Sequence, residues 1–242
     1  MPTVDDQILA AVSGTVATIP DVVAVLQAID HIVPDSDGLK WFNWLYLTVT
    51  CAVRDALPKG AWHDSEWLSL LDVRFASLYF GALRARLTPS GQAPKCWQVL
   101  FDARHDSRLA RIQFALAGIN AHINHDLAPA IVSTCEKRNV VPIHGSDQYR
   151  DYSAINEVLD PIVDVAKKEL LIGLLGEDLP SLNLVERLVA GWSIRTFREI
   201  AWTNGEVLWT LRAQPVLSVS YLAALDGTGE LSSRGLLAPV GV

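Results

Sequence analysis

The stretch Leu116-Ala-Gly-Ile-Asn-Ala-His-Ile-Asn-His-Asp-Leu-Ala-Pro129 places two Asn, two His and one Asp in an otherwise apolar run. A helix returns to the same face about every three to four residues, so His122 and Asp126 would be neighbours one turn apart, as would Asn120 and Asn124. Burying such polar groups costs roughly a few kcal/mol each unless every one finds a partner. The stretch therefore predicts a buried helix that carries either a satisfied hydrogen-bond network or a functional site.

Pro129 should distort this helix directly after the polar cluster. Proline lacks a backbone N–H, so the carbonyl of His125 loses its usual helical partner and we expect a kink there. A carbonyl freed beside polar side chains can bind water, a metal ion or a substrate donor. An ordinary proline kink around a packed core is the alternative.

The composition predicts a well-buried helical protein. Half of the 242 residues are hydrophobic and 19% are charged, and the net charge of −7 with no basic run argues against nucleic acid as a partner. The first residues predict no signal peptide, and the longest uncharged runs, such as Trp41 to Val53, are too short to span a membrane. Cys51, Cys96 and Cys135 are widely spaced, as expected of reduced core thiols. We therefore expect a cytoplasmic protein without a transmembrane segment.

Helical periodicity between Pro and Gly breakers predicts a single all-α domain over residues 1–242, a multi-helix bundle with the kinked helix inside it. Residues 94–102 read as a connector, and Val140-Val-Pro-Ile143 carries a short strand signal. Residues 215–242, which contain several glycines, read as a loosely packed C-terminal arm. The predicted helices span Asp5 to Thr18, Asp21 to Val33 with Asp21 as N-cap, Leu39 to Leu57, Asp64 to Leu87, Ser107 to Lys137, Asp147 to Leu175 and Ser181 to Ala213.

Two other helices carry polar residues among apolar ones. Asp72 and Tyr79 lie on or beside an apolar face, where a carboxylate must be paired, hydrogen-bonded or protonated. An ion pair with Arg195 or Arg198 is the structural interpretation of Asp72, and a catalytic role is the other. Asn43 and Tyr46 stand among aromatic residues, where an Asn serves either as a bond between helices or as a ligand contact.

The last long helix aligns Trp192, Arg195, Glu199 and Trp202 at spacings of three or four residues. Tryptophan walls with an Arg or a Glu between them suit an apolar ligand that carries one polar group. They suit a plain core with charges at its rim equally well.

Several chemistries lack their sequence motifs. There is no Gly-x-Ser-x-Gly, no phosphate-binding P-loop and no dinucleotide glycine fingerprint. His122 and Asp126 could supply two ligands to one divalent metal ion such as zinc, since they share a helical face. Two ligands do not complete a site, so one metal ion and no metal ion both remain open.

Several phrases of the chain resemble a helical family of unknown function, DUF5995. The phrases are Phe42-Asn-Trp-Leu-Tyr-Leu-Thr-Val-Thr50, Leu71-Asp-Val-Arg-Phe-Ala-Ser-Leu-Tyr79, Phe114-Ala-Leu-Ala-Gly-Ile-Asn-Ala-His-Ile-Asn-His-Asp-Leu127, Trp192-Ser-Ile-Arg195 and Arg198-Glu-Ile-Ala-Trp202. The resemblance implies an α-helical fold and brings no established activity.

The His-x-x-x-Asp spacing is also similar to one element of the helical zinc phospholipase C and P1-nuclease group. That group needs several further helical His ligands for three zinc ions. The other histidines here lie mostly near predicted loops or helix ends, and they are His31, His63, His105, His125 and His144. A complete three-zinc site is therefore not expected.

The leading hypothesis is an enzyme that acts on a small, largely apolar molecule in a pocket between helices. His122 would be the general acid/base or a metal ligand, because its pKa lies near neutral pH and a carboxylate can hold its tautomer. Asp126 and Asp72 would be its partners, with Asn120 and Asn124 as orienting groups. Asn43, Tyr46, Tyr79, Trp192, Arg195, Glu199 and Trp202 complete the predicted substrate contacts.

Four functions remain open at this point. Metal-assisted hydrolysis is the first reaction class considered, and a cofactor-free cyclisation or isomerisation is the second. A non-catalytic binding protein could use the same pocket. A helical interaction module, whose polar cluster specifies packing, would need no pocket.

Overall fold

The computed structural model describes residues 2–172 and 193–239. Within these ranges the chain is built of helices and contains no β-strand, which confirms the predicted all-α bundle. In chain order the elements are α1 (Val4–Val12), α2 (Ile19–Ile32), α3 (Leu39–Ala56), α4 (Ser65–Leu87), α5 (Lys95–Ala103), α6 (Arg111–Ala121), a π-helical segment (His122–Asp126), α7 (Leu127–Arg138), α8 (Asp147–Ala154), α9 (Asn156–Ile172), α10 (Ile194–Leu211) and α11 (Pro215–Leu236).

Helix α6, the π-helical segment and α7 form a continuous rod through the centre of the bundle. Every residue from Ile112 to Ala121 is buried, so α6 has no face toward solvent along this length. Helices α3, α5 and α11 contact α6, while α4 and α10 contact α7. A helix that is apolar all round is stable in water when neighbours cover it on every side. The polar cluster therefore lies in the interior of the protein.

Glycine allows the closest approach of α3 to this rod. A Cβ atom added to Gly118 would lie 2.3 Å from Cγ of the Phe42 ring. Phe42 is fully buried, and its ring lies against the site described below. The absence of a side chain at position 118 thus determines where the Phe42 ring can sit.

The predicted C-terminal arm differs most from the structure. Residues 215–236 form helix α11, which packs along α5 and α6. The Asp226 carboxylate accepts the backbone N–H groups of Lys95 and Cys96 at the start of α5, at 3.0 and 2.9 Å. Gly229 comes close to Cys96, where an added Cβ would lie 3.0 Å from Cβ of the cysteine. The glycines that suggested a loose arm instead permit close packing between helices.

Three local predictions also differ. The predicted connector 94–102 is helix α5, and the strand signal at 140–143 lies in the loop between α7 and α8. The first predicted helix ends at Val12, and α2 begins after Thr18. Thr18 is the N-cap of α2, and Asp21, at the third helical position, completes a capping box with it. The predicted helix Ser181 to Ala213 lies partly outside the described residues.

No helix within residues 2–172 and 193–239 is both long enough and apolar enough to cross a bilayer.

We predict that Gly118→Ala lowers the free energy of unfolding by about 1–3 kcal/mol, because the new methyl group overpacks against the Phe42 ring. Gly81→Ala is the matched control, since its added Cβ would lie 3.9 Å from the flexible end of Arg84. Urea denaturation of both variants measures the difference. Equal stability of the two variants would contradict the tight contact.

Candidate functional site

The centre of the site is the buried carboxylate of Asp126, which is 2% exposed. Its Oδ2 lies 2.9 Å from Trp97 Nε1 and 2.9 Å from His122 Nδ1, and its Oδ1 lies 2.6 Å from His125 Nδ1. An ionised carboxylate accepts hydrogen bonds and donates none, so both Nδ1 atoms carry their proton here. These four residues are called the Asp126 cluster below.

Charge in the cluster is concentrated on Asp126 and His125. Burial would raise the pKa of Asp126, but the hydrogen bonds from His122 and His125 lower it below its ordinary value. Burial would lower the pKa of His125, but the hydrogen bond to Asp126 and its charge raise it. The carboxylate of Asp126 therefore favours the cationic form of His125.

His122 differs from His125 because it is 2% exposed and remains neutral. Burial lowers the pKa of His122, and the hydrogen bond to Asp126 offsets this only in part. With the proton on Nδ1, the other ring nitrogen, Nε2, carries a free electron pair. Nε2 is buried and has no hydrogen-bond partner in the part of the chain that the structure describes. The imidazole is thus oriented on one side and chemically free on the other.

The π-helical segment His122–Asp126 places these side chains. A π-turn inserts one extra residue into a helix, and such bulges occur frequently at functional sites. The sequence predicts a distortion next to Pro129, and the structure places it just before the proline, as a widened turn. His122 and Asp126 bond across this turn as their spacing predicts, while His125 reaches the second oxygen of the same carboxylate.

His122 lines a cavity of about 60 Å³ between α3, α4, α6, α9 and α10. Its wall is aromatic and aliphatic, with Phe42, Tyr46 and Phe75 around the imidazole. The Phe75 ring stacks on His122 at 3.5 Å between centroids with planes 5° apart, and the Tyr46 ring meets it edge-on at 4.7 Å. We call this space the first cavity.

Asp72 lines a second cavity of about 60 Å³, which shares part of its wall with the first. Burial raises the pKa of Asp72 to about 7, and its Oδ2 has no hydrogen-bond partner among residues 2–172 and 193–239. The expected ion pair with Arg195 or Arg198 does not form. Arg195 binds Glu157 and Asp160, whereas Arg198 binds Asn156 and the carbonyl of Tyr152. The residues common to both cavities are Tyr46, Val49, Phe75, Leu159 and Arg198.

The predicted orienting amides lie away from the cavities. Asn120 Nδ2 donates to the Gly229 carbonyl and to Ser233 Oγ on α11, each at 2.9 Å. Asn124 Nδ2 donates to Asn120 Oδ1 at 2.7 Å. Asn120 therefore joins the central rod to α11, Asn124 bonds to it within the rod, and neither amide lines the cavity beside His122.

Asn43 and Tyr79 are buried next to the site without lining either cavity. Asn43 Nδ2 donates to the Leu26 carbonyl at 2.9 Å and so ties α3 to α2. The Tyr79 ring stacks on Trp97 at 5.1 Å, and its hydroxyl has no partner within the described ranges. The Tyr79 ring thus packs against two members of the Asp126 cluster, since it also meets the His122 ring edge-on at 6.1 Å.

The predicted tryptophan wall from the last long helix is not part of these cavities. Trp202 is buried against Trp67, Tyr149 and Tyr152. Arg195 and Glu199 lie at the surface, where Glu199 binds His144 and Tyr149. Trp192 lies outside the described residues. The aromatic wall comes instead from α3 and α4, because those helices present their rings toward the central rod.

A metal ion does not fit the predicted pair in this arrangement. His122 Nδ1 and Asp126 Oδ2 face each other at hydrogen-bond distance, so neither atom has a free electron pair directed at a common point. Among the residues that the structure describes, no group of three or more His, Cys, Asp or Glu side chains is placed to hold a metal ion. No step below is therefore assigned to a metal.

The sequence analysis missed Trp97 and Phe75 as parts of the site. Trp97 was assigned to a connector, and its bond to Asp126 joins residues 29 positions apart, which no local pattern reveals. Phe75 follows Asp72 by three residues on the apolar face of α4, so its place beside Asp72 could have been inferred. Its stacking on His122 could not.

A family model described as "Family of unknown function (DUF5995)" matches residues 19–239 of the chain. The chain belongs to this family. The matched range contains the Asp126 cluster and the described residues of both cavities. No curated protein and no solved structure matches the chain, and the similarity to zinc phospholipase C is not supported.

We predict that Asp126→Asn lowers the free energy of unfolding by about 3–5 kcal/mol, because an amide cannot serve three N–H donors and the cationic His125 loses its counter-ion. Chemical denaturation near neutral pH measures this loss. In NMR titration the pKa of His125 should also fall. Asp164→Asn, at an exposed position of α9, is the control. A change no larger than that of the control would show that the carboxylate is not the centre of the cluster.

The stability of the protein should respond to pH through Asp72. Its pKa of about 7 lies above the ordinary 3.8, so the folded state holds a proton that the unfolded state releases. Protonated Asp72 therefore adds to the free energy of unfolding at low pH, and this stabilisation is lost as the pH rises toward about 7 and the carboxyl ionises. Asp72→Asn cannot ionise, so its stability relative to wild type should increase between about pH 5 and about pH 8. Denaturation at both pH values measures the effect, and a difference that does not vary with pH would refute it.

Proposed function

We propose that this protein is an enzyme in which His122, oriented by Asp126, exchanges a proton with a small, largely apolar substrate bound in the first cavity. One observation carries the proposal. His122 is a neutral, buried histidine whose Nδ1 is bonded to a carboxylate, and its Nε2 has no partner in the described residues beside an apolar cavity. Orientation of this kind selects the tautomer in which Nε2 is the base.

The surroundings of His122 suit proton transfer. Asp126 stabilises the imidazolium that forms when Nε2 takes a proton, and the apolar wall strengthens this attraction because it excludes water. His125 neutralises the resting charge of Asp126, so His122 stays neutral between reactions. The cluster thereby supports a base with a pKa below that of an ordinary histidine.

The cavity limits the substrate. About 60 Å³ holds roughly two water molecules, at about 30 Å³ each. A substrate of a few heavy atoms fits this space, and a larger one requires the Phe75 ring to move and join the two cavities. The apolar wall favours a molecule with few polar groups.

A purely structural network and metal-assisted hydrolysis explain the site less well. A network that only specifies packing should satisfy its buried polar atoms, yet His122 Nε2, Tyr46 Oη and Asp72 Oδ2 lack partners within the described ranges. Metal-assisted hydrolysis needs a set of metal ligands, and the described residues place no group of three or more His, Cys, Asp or Glu side chains together for one. The cytoplasmic location expected from the sequence belongs to this proposal.

The proposal is tested by incubating the protein in D₂O with small esters, ketones and epoxides while proton NMR follows any change. We expect at least one class to be transformed by wild type and to be slowed by about 100-fold or more in His122→Asn, the loss typical of a general base. His31→Asn, at an exposed position of α2, is the matched control and should retain the rate.

The same samples report on binding through the ring resonances of His122. Turnover that survives in His122→Asn would overturn the assignment of the base. A panel in which no compound is transformed and none shifts the His122 resonances would overturn the proposed function as a whole.

A further inference from the structure

Three buried polar atoms in the walls of the two cavities lack hydrogen-bond partners among the described residues. They are His122 Nε2 in the first cavity, Asp72 Oδ2 in the second, and Tyr46 Oη, whose residue lines both. Burying such atoms without partners is costly, so the site is incomplete until a ligand supplies the bonds. The ligand should therefore carry groups that match them.

The chemistry of these atoms defines the matching groups. Neutral His122 offers an acceptor at Nε2. Tyr46 offers a donor, because burial and the charges of Asp72 and Asp126 raise its pKa well above 10, although Thr50 opposes the shift. Thr50 Oγ1 itself donates to the Tyr46 backbone carbonyl. Asp72, with a pKa raised to about 7 by burial, offers a second donor while it is protonated.

Few other polar groups compete in this space. Arg198 lines both cavities, but its Nε donates to Asn156 Oδ1 and its Nη2 to the Tyr152 carbonyl, at 2.8 and 2.7 Å. The other lining residues of the two cavities are apolar. The imidazole Nε2 as acceptor and the Tyr46 and Asp72 hydroxyls as donors are thus buried polar groups of these walls without a partner in the described residues.

We propose that the substrate is a small carbonyl compound with a C–H group next to its carbonyl, and that Tyr46 and Asp72 bind the carbonyl oxygen while His122 removes the proton. This inference rests on the proposed function and names its substrate class. The acidic carbon would face His122 Nε2 in the first cavity, and the carbonyl oxygen would lie at the boundary marked by Tyr46, where movement of the Phe75 ring joins the two cavities and brings Asp72 within reach.

The step balances without a co-reactant. The C–H bond breaks, its proton moves to His122 Nε2, and its electron pair forms the C=C bond of an enolate. The C=O electron pair moves to oxygen, where the Tyr46 and Asp72 hydroxyl protons stabilise the negative charge by hydrogen bonding. His122 then returns the proton to the same carbon, which exchanges hydrogen, or to another carbon, which isomerises the compound. Nothing is oxidised or reduced.

The test follows exchange of the α-protons of acetone and cyclopentanone in D₂O by proton NMR, with the intact chain. We expect saturable exchange by wild type that His122→Asn abolishes. Tyr46→Phe and Asp72→Leu, which each remove one donor, should lower kcat by about 100-fold or more with a smaller effect on KM. Tyr221→Phe, which removes a hydroxyl that binds Asn204 outside both cavities, and Asp164→Asn are the controls.

The pH profile separates a direct donor from a merely structural residue. Asp72 donates while protonated, so wild-type kcat should fall as the pH rises through about 7. The groups that face it across the second cavity, Tyr46 and Arg198, are present in both proteins. In Asp72→Asn, whose amide donates at every pH, this alkaline limb should disappear.

Each outcome decides between the two proposals. If esters or epoxides are transformed through His122 and the ketones are not, the carbonyl inference is overturned and the proposed function stands. If the ketones exchange equally well with Tyr46→Phe and Asp72→Leu, the assignment of the two donors is overturned. Exchange that depends on all three residues supports the inference.

Discussion

The buried carboxylate of Asp126 is the interaction on which the site depends. It receives N–H donors from α5 and from the π-helical segment, so one side chain joins two elements and orients two histidines. A buried charge is tolerated when it is paired and fully hydrogen-bonded, and here a cation and two neutral donors surround it. The positions of Trp97, His122 and His125 all follow from satisfying this one group.

The surrounding helices exclude water from the Asp126 carboxylate. Gly118 lets the Phe42 ring approach, and Asn120 binds α11 to the other side of the rod. Helix α11 also holds the start of α5 through Asp226, and α5 in turn presents Trp97. Electrostatics and packing are therefore coupled, since a shift of α11 would move the donor that binds Asp126.

The sequence allows the local part of this arrangement to be predicted and leaves out the rest for physical reasons. Spacing alone predicts that His122 and Asp126 meet, because helical neighbours one turn apart do so in any fold. It also brings Asp72 forward as a carboxylate that must be paired, hydrogen-bonded or protonated, although the expected arginine partner is wrong. The bond from Trp97 to Asp126 depends on which helices become neighbours, and so do the surroundings of Arg195 and Trp202. Helical periodicity does not contain that information. The C-terminal helix was missed because glycine lowers helix propensity locally, while close contact with Cys96 favours it in the folded state.

The stacking of Phe75 on His122 has a consequence for the charged form of the imidazole. The face of an aromatic ring carries partial negative charge, and it attracts a cation that lies over it. With the rings 3.5 Å apart and nearly parallel, this cation–π attraction acts on the imidazolium and hardly at all on the neutral ring. The same phenyl group that excludes water and so disfavours charge also lowers the energy of the charge once it has formed. Exchanging Phe75 for an aliphatic residue of similar volume would keep the first property and lose the second.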